Sequence, residues 1–522
     1  MKKFIVLSSV LLLILAFGAT VYGQETKLDF RASGFIDAQS LLWRGVTGGS
    51  PAAGIINPYS ATYGPTGDAW NRTAHYMESR MRLKFDAVMG KELSGTIYFE
   101  ADSGSNGGTG AGWGDFKPGV VNNISDRNSY GYWTMDRAAL EIKNVYFDVA
   151  LPYIGIPIPM QVRVGGQPLS IRPNLFVYSD GMGIKGGIKI DPVNIEPFWF
   201  KATQGKLWAD QGNDVYGVHA NANVSGFTLG GYFLYYNMNT YPFFVTTFAN
   251  VAGVPVTNAG SAAVAGTLSA DFWWLGLYAD GKAGPVNINF DFIYDHGKVK
   301  SRFTDDVDDV KYSGWVVYTK FDFPRDQFNF GAVAYYATGA SADKTSASGL
   351  PGTPVANPGS ANLTSKVKSF VTPPGSEAAP IFGESVVFYS SWITRGDTGI
   401  ADTLNYQQVS RGPVGGTWMA KLYGSYKATP WFKVTLQGLY IGDTTKHGDT
   451  FGTSRDGDDL ANHKSIGWEG DLITELHIYK NLKFSVGLGA LLPAGGFKFW
   501  NGEENVKPHL PWQLCTNLVY NF

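Results

Sequence analysis

The sequence has little of three features, and each shortage argues against a class of protein. Only one cysteine, Cys515, occurs among 522 residues, so an internal disulfide is excluded. The 42 basic and 44 acidic residues nearly cancel, which gives no indication of nucleic acid as a partner. After the N-terminal segment, no apolar stretch approaches the ~20 residues that a transmembrane helix needs. A nucleic-acid-binding protein and a helical membrane protein are therefore both disfavoured.

The N-terminal segment has the pattern of a secretory signal peptide. Lys2 and Lys3 precede an apolar run over 4–19, and the small residue Gly23 stands before a polar stretch. The pattern predicts a signal peptide over 1–23 and a mature chain over 24–522. An N-terminal membrane anchor is the alternative, but the run is shorter than a spanning helix requires.

Short alternating strands account for most of the remaining chain. Aromatic residues reach 15% and glycine occurs 65 times, a composition that suits many strands with hydrophobicity spread thinly. Over 512–522, Leu514, Leu518 and Phe522 alternate with polar residues, as a strand between lipid and a polar lumen requires. A terminal Phe on such a strand resembles the C-terminal signature of Gram-negative outer-membrane barrel proteins.

About eighteen such strands can be placed along the chain. The clearest sets Met81, Leu83 and Phe85 against Arg82 and Lys84, a face that a water-filled lumen accepts and a soluble core does not. Long polar connections alternate with tight turns, such as Gly90-Lys91-Glu92. We therefore predict an all-β fold, a transmembrane antiparallel up-and-down β-barrel of about 18 strands with both termini on the periplasmic side. A soluble sandwich or propeller is the alternative.

The longest connection, at about 339–416, divides into two parts. Residues 341–369 are rich in Ala, Ser, Pro, Gly and Thr and lack aromatics, whereas 381–393 is apolar. Exposed aromatics are costly in water, so we expect the second part to fold into or over the pore as a constriction loop. An external subdomain or an oligomer contact is the alternative. The constriction residues would be Phe382, Phe388, Tyr389 and Trp392.

A barrel of this size is too wide for side chains to fill, so an aqueous channel is expected, with selectivity set by the charges on its wall. The predicted basic lining is Arg80, Arg82, Lys84, Arg137, Lys143, Arg163, Lys185 and Lys189. The predicted acidic lining is Glu78, Asp86, Glu141, Glu469, Asp471 and Glu475. Opposed basic and acidic walls would orient polar solutes and favour anionic or polyhydroxylated ones. Alternatively, these charges only keep the pore hydrated.

One stretch near the C-terminus carries a resemblance to a known family. Ile466-Gly-Trp-Glu-Gly-Asp-Leu472, with Tyr479-Lys-Asn-Leu482, Gly487-Leu-Gly489 and Pro493-Ala-Gly495, resembles the closing strands of alginate-export-type outer-membrane barrels. The resemblance implies an eighteen-stranded monomeric barrel that exports an acidic polysaccharide through an arginine-rich pore. Glu469 and Asp471 match the Glu-x-Asp strand of that family.

Three other interpretations remain open at this point. A general or substrate-specific porin, monomer or homotrimer, needs the same wall. A barrel enzyme needs a rim constellation of Asp/His or Ser/His, but the seven histidines all stand singly. A sheath for a periplasmic electron-transfer protein would act through a partner, since no Cys-x-x-Cys-His motif is present.

We favour a non-enzymatic porin in the Gram-negative outer membrane. We expect contacts with membrane lipid and lipopolysaccharide, small polar or anionic solutes or an acidic polysaccharide as cargo, no nucleic acid, no cofactor and no metal. The acidic runs at 305–309 and 456–459 could collect calcium, but they do not match a calcium-binding loop and suit solvated loop tips better.

Overall fold

Period-2 alternation places apolar and polar side chains on opposite faces of long strands, and these strands pair into one sheet. The computed structural model describes residues 27–44, 73–102, 140–151, 158–203, 212–241, 268–301, 309–341, 366–378, 382–389, 413–448, 450, 455–456, 459–500, 505–506 and 509–522. The predicted signal peptide over 1–23 lies outside these ranges.

Eighteen strands form the barrel. They are β1 (Leu28–Arg44), β2 (Thr73–Met89), β3 (Leu93–Asp102), β4 (Glu141–Ala150), β5 (Met160–Ile171), β6 (Val177–Ile190), β7 (Val193–Thr203), β8 (Asn213–Val224), β9 (Phe227–Tyr241), β10 (Leu268–Ala283), β11 (Val286–Ser301), β12 (Val310–Arg325), β13 (Phe328–Ala337), β14 (Thr417–Thr429), β15 (Phe432–Asp443), β16 (Ser465–Tyr479), β17 (Leu482–Pro493) and β18 (Trp512–Asn521).

Each strand pairs antiparallel with its neighbours in sequence, and β1 pairs with both β2 and β18, which closes the sheet. Closure reaches the last residue, because Gly34 and Phe522 exchange backbone hydrogen bonds of 2.9 and 3.0 Å. The predicted closed antiparallel barrel is confirmed. A closed barrel leaves no unpaired sheet edge.

The connections sort by length between the two ends of the barrel. Short turns join β2 to β3, β6 to β7, β8 to β9, β10 to β11, β12 to β13, β14 to β15 and β16 to β17. The β5–β6 connection, at an end where the alternation predicts a long polar stretch, is the exception, because β5 extends to Ile171 and β6 begins at Val177. Only five residues, 172–176, join those two strands, and they matter for the pore.

The outer surface of the barrel is apolar. Phe30 is 75% exposed, Leu422 is 71% exposed and Met77 is 62% exposed, and exposed apolar side chains occur on all the other strands except β7. Soluble monomers rarely expose contiguous apolar patches above a few hundred Å². Such a surface is stable against lipid. Within the described ranges, no helix is long and apolar enough to cross a membrane.

Candidate functional site

Lumen-facing side chains can be distinguished from outward-facing ones by the exposed fraction of each side chain. On β16, Trp468 and Leu472 are exposed, whereas Glu469 and Asp471 between them are buried. Because the exposed apolar face is the outer one, the buried acidic residues point into the barrel. Strand register carries this assignment to the neighbouring strands, since side chains of paired residues share a face.

The connection between β13 and β14 enters the barrel. We name its two described stretches, 366–378 and 382–389, the inward segment. A two-residue strand, Lys366–Val367, pairs parallel with β12 at its start. The residues of the segment that are almost completely buried are Val367, Ser369, Phe370, Val371, Thr372, Ala378, Phe382, Ser385, Val386, Val387, Phe388 and Tyr389.

Lumen-facing side chains of β10 and β11 hold the first stretch. The Trp274 indole N–H donates to the Val371 carbonyl oxygen at 2.8 Å. The buried Asp295 carboxylate accepts the Val371 N–H at 3.3 Å and the Gly314 N–H at 3.1 Å. These bonds satisfy backbone groups that would otherwise be buried without partners. The first stretch therefore lies against the inner surface.

A buried ion pair holds the second stretch. Glu384 contacts the Lys421 ammonium, and its Oε1 accepts the Tyr318 O–H at 2.8 Å. The Lys421 ammonium also donates to the Glu384 carbonyl oxygen at 2.9 Å. Burial alone would raise the pKa of Glu384, but Lys421 and Lys320, with hydrogen bonds from Lys421 and Tyr318, lower it below its ordinary value. The charged pair therefore favours the docked segment.

Glu469 on β16 accepts three backbone hydrogen bonds from the second stretch. Its Oε1 accepts the N–H groups of Val386 at 2.9 Å and Val387 at 2.7 Å, and its Oε2 accepts the Phe388 N–H at 2.9 Å. Neighbouring Asp471 accepts the Val386 N–H at 3.3 Å. Three successive backbone donors thus converge on one carboxylate, an arrangement that suits an anion. The two carboxylates bind the protein's own chain.

Aromatic rings complete the packing around the second stretch. Tyr389 contacts the Tyr335 hydroxyl, and the Tyr335 hydroxyl lies 2.8 Å from the Thr417 hydroxyl. The Phe382 ring meets Tyr389 edge-on with centroids 4.9 Å apart, and Phe388 meets Tyr389 at 4.8 Å. These contacts bury the aromatic side chains within the barrel. The inward segment fills the lumen along β10 to β17, which we name the covered wall.

The short connection 172–176 also turns into the lumen. Arg172 contacts the carboxylates of Asp280 on β10 and Asp291 on β11, with all four contacts within 3.2 Å. Phe176 is buried and stacks on Tyr232 with centroids 4.9 Å apart. Burial opposes the charge of Arg172, but hydrogen bonds and charge from the two aspartates raise its pKa above the ordinary value.

The inner faces of β2 to β8, which we name the open wall, carry a ladder of ion pairs. The bidentate pair of Arg163 with Asp148 has contacts of 2.7 and 2.9 Å, and the Arg163 guanidinium lies over the Tyr146 ring at 4.1 Å. The further pairs are Arg80 and Arg82 with Glu100, Lys84 with Asp86, Lys143 with Glu100 and Asp180, and Lys185 with Glu196.

The two walls differ in their access to solvent. On the open wall, the Arg163 side chain is 27% exposed and the Glu196 side chain 37% exposed. On the covered wall, Glu469 is 3% exposed and Asp471 is 5% exposed. The named charges of the open wall are thus more accessible to solvent than Glu469 and Asp471, and the further accessible charges Lys433 and Lys483 lie on β15 and β17.

A cavity of about 240 Å³ lies on the open-wall side of the barrel. Side chains from β5 to β9, among them Leu169, Phe200 and Tyr236, line one side, and residues 373–376 of the inward segment line the other. Asp180 and Lys201 also belong to this lining, which is otherwise formed by apolar and uncharged residues.

The structure brings some of the predicted site residues together and separates others. Arg80, Arg82, Lys84, Asp86, Lys143, Arg163 and Lys185 face the lumen on the open wall. Glu469, Asp471 and Glu475 also face inward, but they are buried on the covered wall instead of lining water. Lys189 and Glu141 are exposed near strand ends. Arg137, Trp392 and the Glu78 side chain lie outside the described residues.

Sequence reasoning missed Arg172, Asp280, Asp291, Glu384 and Lys421. An Arg-Pro step before the apolar Leu175-Phe176-Val177 was a usable signal, because a polar external loop rarely carries three such residues. In the parts of the chain that the structure describes, no cluster of three or more His, Cys, Asp or Glu could hold a metal ion.

The eighteen-stranded closed sheet, the apolar exterior and the polar lumen define the class: the chain has the architecture of a porin barrel. No family model and no curated protein matches the sequence. The resemblance to alginate-export-type barrels is therefore not supported. The Glu-x-Asp pair that suggested it binds the inward segment in this structure.

Several solved structures align with nearly the whole chain at low sequence identity. The structure of OccK11 (OpdR) from Pseudomonas aeruginosa aligns with a TM-score of 0.47 and 10% identity over 96% of this chain and 99% of that chain. OccAB2 from Acinetobacter baumannii aligns at 0.48 and 10% over 94% and 98%. A BenF-like porin from Pseudomonas fluorescens Pf-5 aligns at 0.47 and 10% over 95% and 98%. A shared activity does not follow from similarity at this level.

Proposed function

We propose that this protein is a porin of the Gram-negative outer membrane and that small polar solutes pass through it along the open wall. The observation that carries the proposal is the contrast between the walls: partly exposed ion pairs follow β2 to β8, whereas the inward segment covers β10 to β17. Passage through such a lumen is passive and needs no catalytic group or cofactor.

The apolar exterior supports the membrane location. Fully exposed apolar strands would be unfavourable in water by about 25 cal/mol per Å², and lipid removes that cost. Tight turns at one end and long connections at the other suit a periplasmic and an external end, respectively. On this basis the mature chain, beginning near Gln24, inserts with both termini on the periplasmic side.

The paired charges bear on which solutes pass. Each described basic residue of the open wall has an acidic partner, apart from Lys189 at the strand end, so the wall offers donors and acceptors with little net charge. Such a wall favours polyhydroxylated solutes, which exchange hydrogen bonds with both partners. Anionic solutes are the second candidate, because they can bind an arginine only in competition with its carboxylate. Export of an acidic polysaccharide or a sheath role finds no supporting contact among the described residues.

Ion selectivity in planar bilayers tests this assignment. Replacing Arg80, Arg82 and Arg163 with Ser leaves Glu100 and Asp148 without their arginine partners, so the reversal potential in a salt gradient should shift towards cation preference. The matched variant Glu100→Gln with Asp148→Asn should shift it the opposite way.

Two results would contradict the proposal in different ways. If both variants conduct with the reversal potential of the parent protein, the ion pairs do not line the passage. If the purified parent protein forms no channels, the porin function itself fails.

A further inference from the structure

We infer that Arg172 is a positioning residue that sets the width of the passage, by fixing the β5–β6 connection across the lumen against β10 and β11. The inference rests on the proposed porin function and deepens it. Arg172 does not need to touch a solute to act in this way. It determines how far the connection projects from the wall along which solutes would pass.

The backbone directs this connection inward. Arg172 has a φ of 46°, a left-handed conformation that is uncommon outside glycine. Its carbonyl oxygen accepts the N–H groups of Leu175 and Phe176, each at 2.8 Å. The tight turn therefore begins at Arg172 and directs the buried Leu175 and Phe176 side chains into the barrel. Surrounding contacts must compensate for the strained conformation.

The guanidinium supplies those contacts. Its Nε and Nη2 donate to Asp291, and its Nη1 and Nη2 donate to Asp280. The group also lies over the Tyr278 ring, with 4.6 Å between Cζ and the ring centroid. Only a planar group with several donors can serve two carboxylates and one ring face together. β10 and β11 do not neighbour β5 or β6, so this contact crosses the lumen.

The connection also supports the inward segment. The Ser376 hydroxyl donates to the Phe176 carbonyl oxygen at 3.0 Å, and the Tyr178 carbonyl oxygen accepts the Glu377 N–H at 2.7 Å. Pro373 and Pro374, just before Ser376, line the 240 Å³ cavity. Releasing Arg172 would therefore loosen two boundaries of the passage at once. A wider and less uniform opening follows.

The test compares Arg172→Gln with Arg172→Lys and with the parent protein in planar bilayers. We expect Arg172→Gln to raise single-channel conductance roughly twofold and to admit larger polyethylene glycols, since pore dimensions set both quantities. Arg172→Lys keeps the charge but cannot serve both aspartates, so an intermediate conductance is expected. The double variant Asp280→Asn with Asp291→Asn should change both readouts in the same direction as Arg172→Gln.

Arg31→Gln is the matched control, because Arg31 pairs with Asp29 on its own strand and both side chains are more than half exposed. Its conductance should equal that of the parent. Folding is checked by retention of the compact form on unheated gels. Should Arg172→Gln fail to fold, the lysine variant decides. Folded Arg172 variants with the conductance and polymer exclusion of the parent would overturn the inference. A parent protein that forms no channels in the bilayer would overturn the porin function instead.

Discussion

Replacing Glu469 with Gln should release the second stretch of the inward segment from the covered wall. The carboxylate accepts three N–H groups, from Val386, Val387 and Phe388. A glutamine at this position keeps one oxygen acceptor and directs an amide N–H₂ towards backbone donors. At least one backbone N–H is then buried without a partner.

The size of the effect follows from the number and type of bonds. Hydrogen bonds to a charged acceptor contribute about 1.5–3 kcal/mol each, and neutral ones about 0.5–1.5 kcal/mol. Taking the lower value for both kinds, exchanging three bonds of the first kind for two of the second removes at least about 3 kcal/mol. Since about 1.4 kcal/mol corresponds to a factor of ten, the undocked population should rise about 100-fold.

Cysteine accessibility measures that population. The only native cysteine, Cys515, is buried and can be replaced by Ser to give a thiol-free background. Val387→Cys then places a thiol at a site that is 0% exposed while the segment is docked. If opening is fast relative to alkylation, the labelling rate follows the undocked fraction. Adding Glu469→Gln should raise this rate about 100-fold.

Glu475→Gln is the matched control on the same strand, because Glu475 pairs with Lys433 and Lys483 and makes no described contact with the segment. Its labelling rate should stay near that of the Val387→Cys parent. Equal labelling rates with and without Glu469→Gln, in folded protein, would refute the assignment of Glu469 as the main attachment of this stretch.

Two further predictions concern the same segment. Lys421→Met leaves the Glu384 carboxylate buried without its lysine partner, so the free energy of unfolding at pH 7 should fall by about 3–5 kcal/mol, which is measured as a lower melting temperature. Lys298→Met breaks a pair that is more exposed to solvent and should leave the melting temperature unchanged. Because the pKa of Glu384 is lowered, the stabilisation by the Glu384–Lys421 pair is complete above the ordinary value of 4.5 and is lost as the pH falls through the folded-state pKa. Glu384→Gln should therefore reduce the loss of melting temperature at acidic pH. Identical pH profiles of the melting temperature for the variant and the parent would contradict this prediction. Deleting 341–393 should raise the conductance, and an unchanged conductance would place this connection outside the current path.

The sequence was sufficient to predict the barrel because each strand lies between two contrasting environments. On β2, for example, Met77 and Phe85 face outward while Arg80 and Arg82 face the lumen, and this contrast is visible as a strict period of two. Turn residues such as Gly90, with its φ of 60°, mark the short connections. Local patterns thus determined strand positions and their antiparallel order.

The position of the inward segment could not be read from local patterns. The aromatic residues of 381–393 indicated that the stretch avoids water, but the partner of its backbone, Glu469, is about eighty positions away in sequence. The partners in the ion pairs could not be read from local patterns either. A register shift between Tyr98 and Phe99 turns both Lys143 and Asn144 towards acidic partners, which strict alternation would not allow.

The most direct test of the central claim compares the two walls in a conducting channel. In the Cys515→Ser background, Tyr98→Cys places a thiol on the open wall and Val333→Cys places one on the covered wall, where Val333 is 1% exposed. A charged methanethiosulfonate reagent added during bilayer recording should reduce the current through Tyr98→Cys channels and leave Val333→Cys channels unchanged. Equal block of both, or block of Val333→Cys alone, would contradict a passage along the open wall.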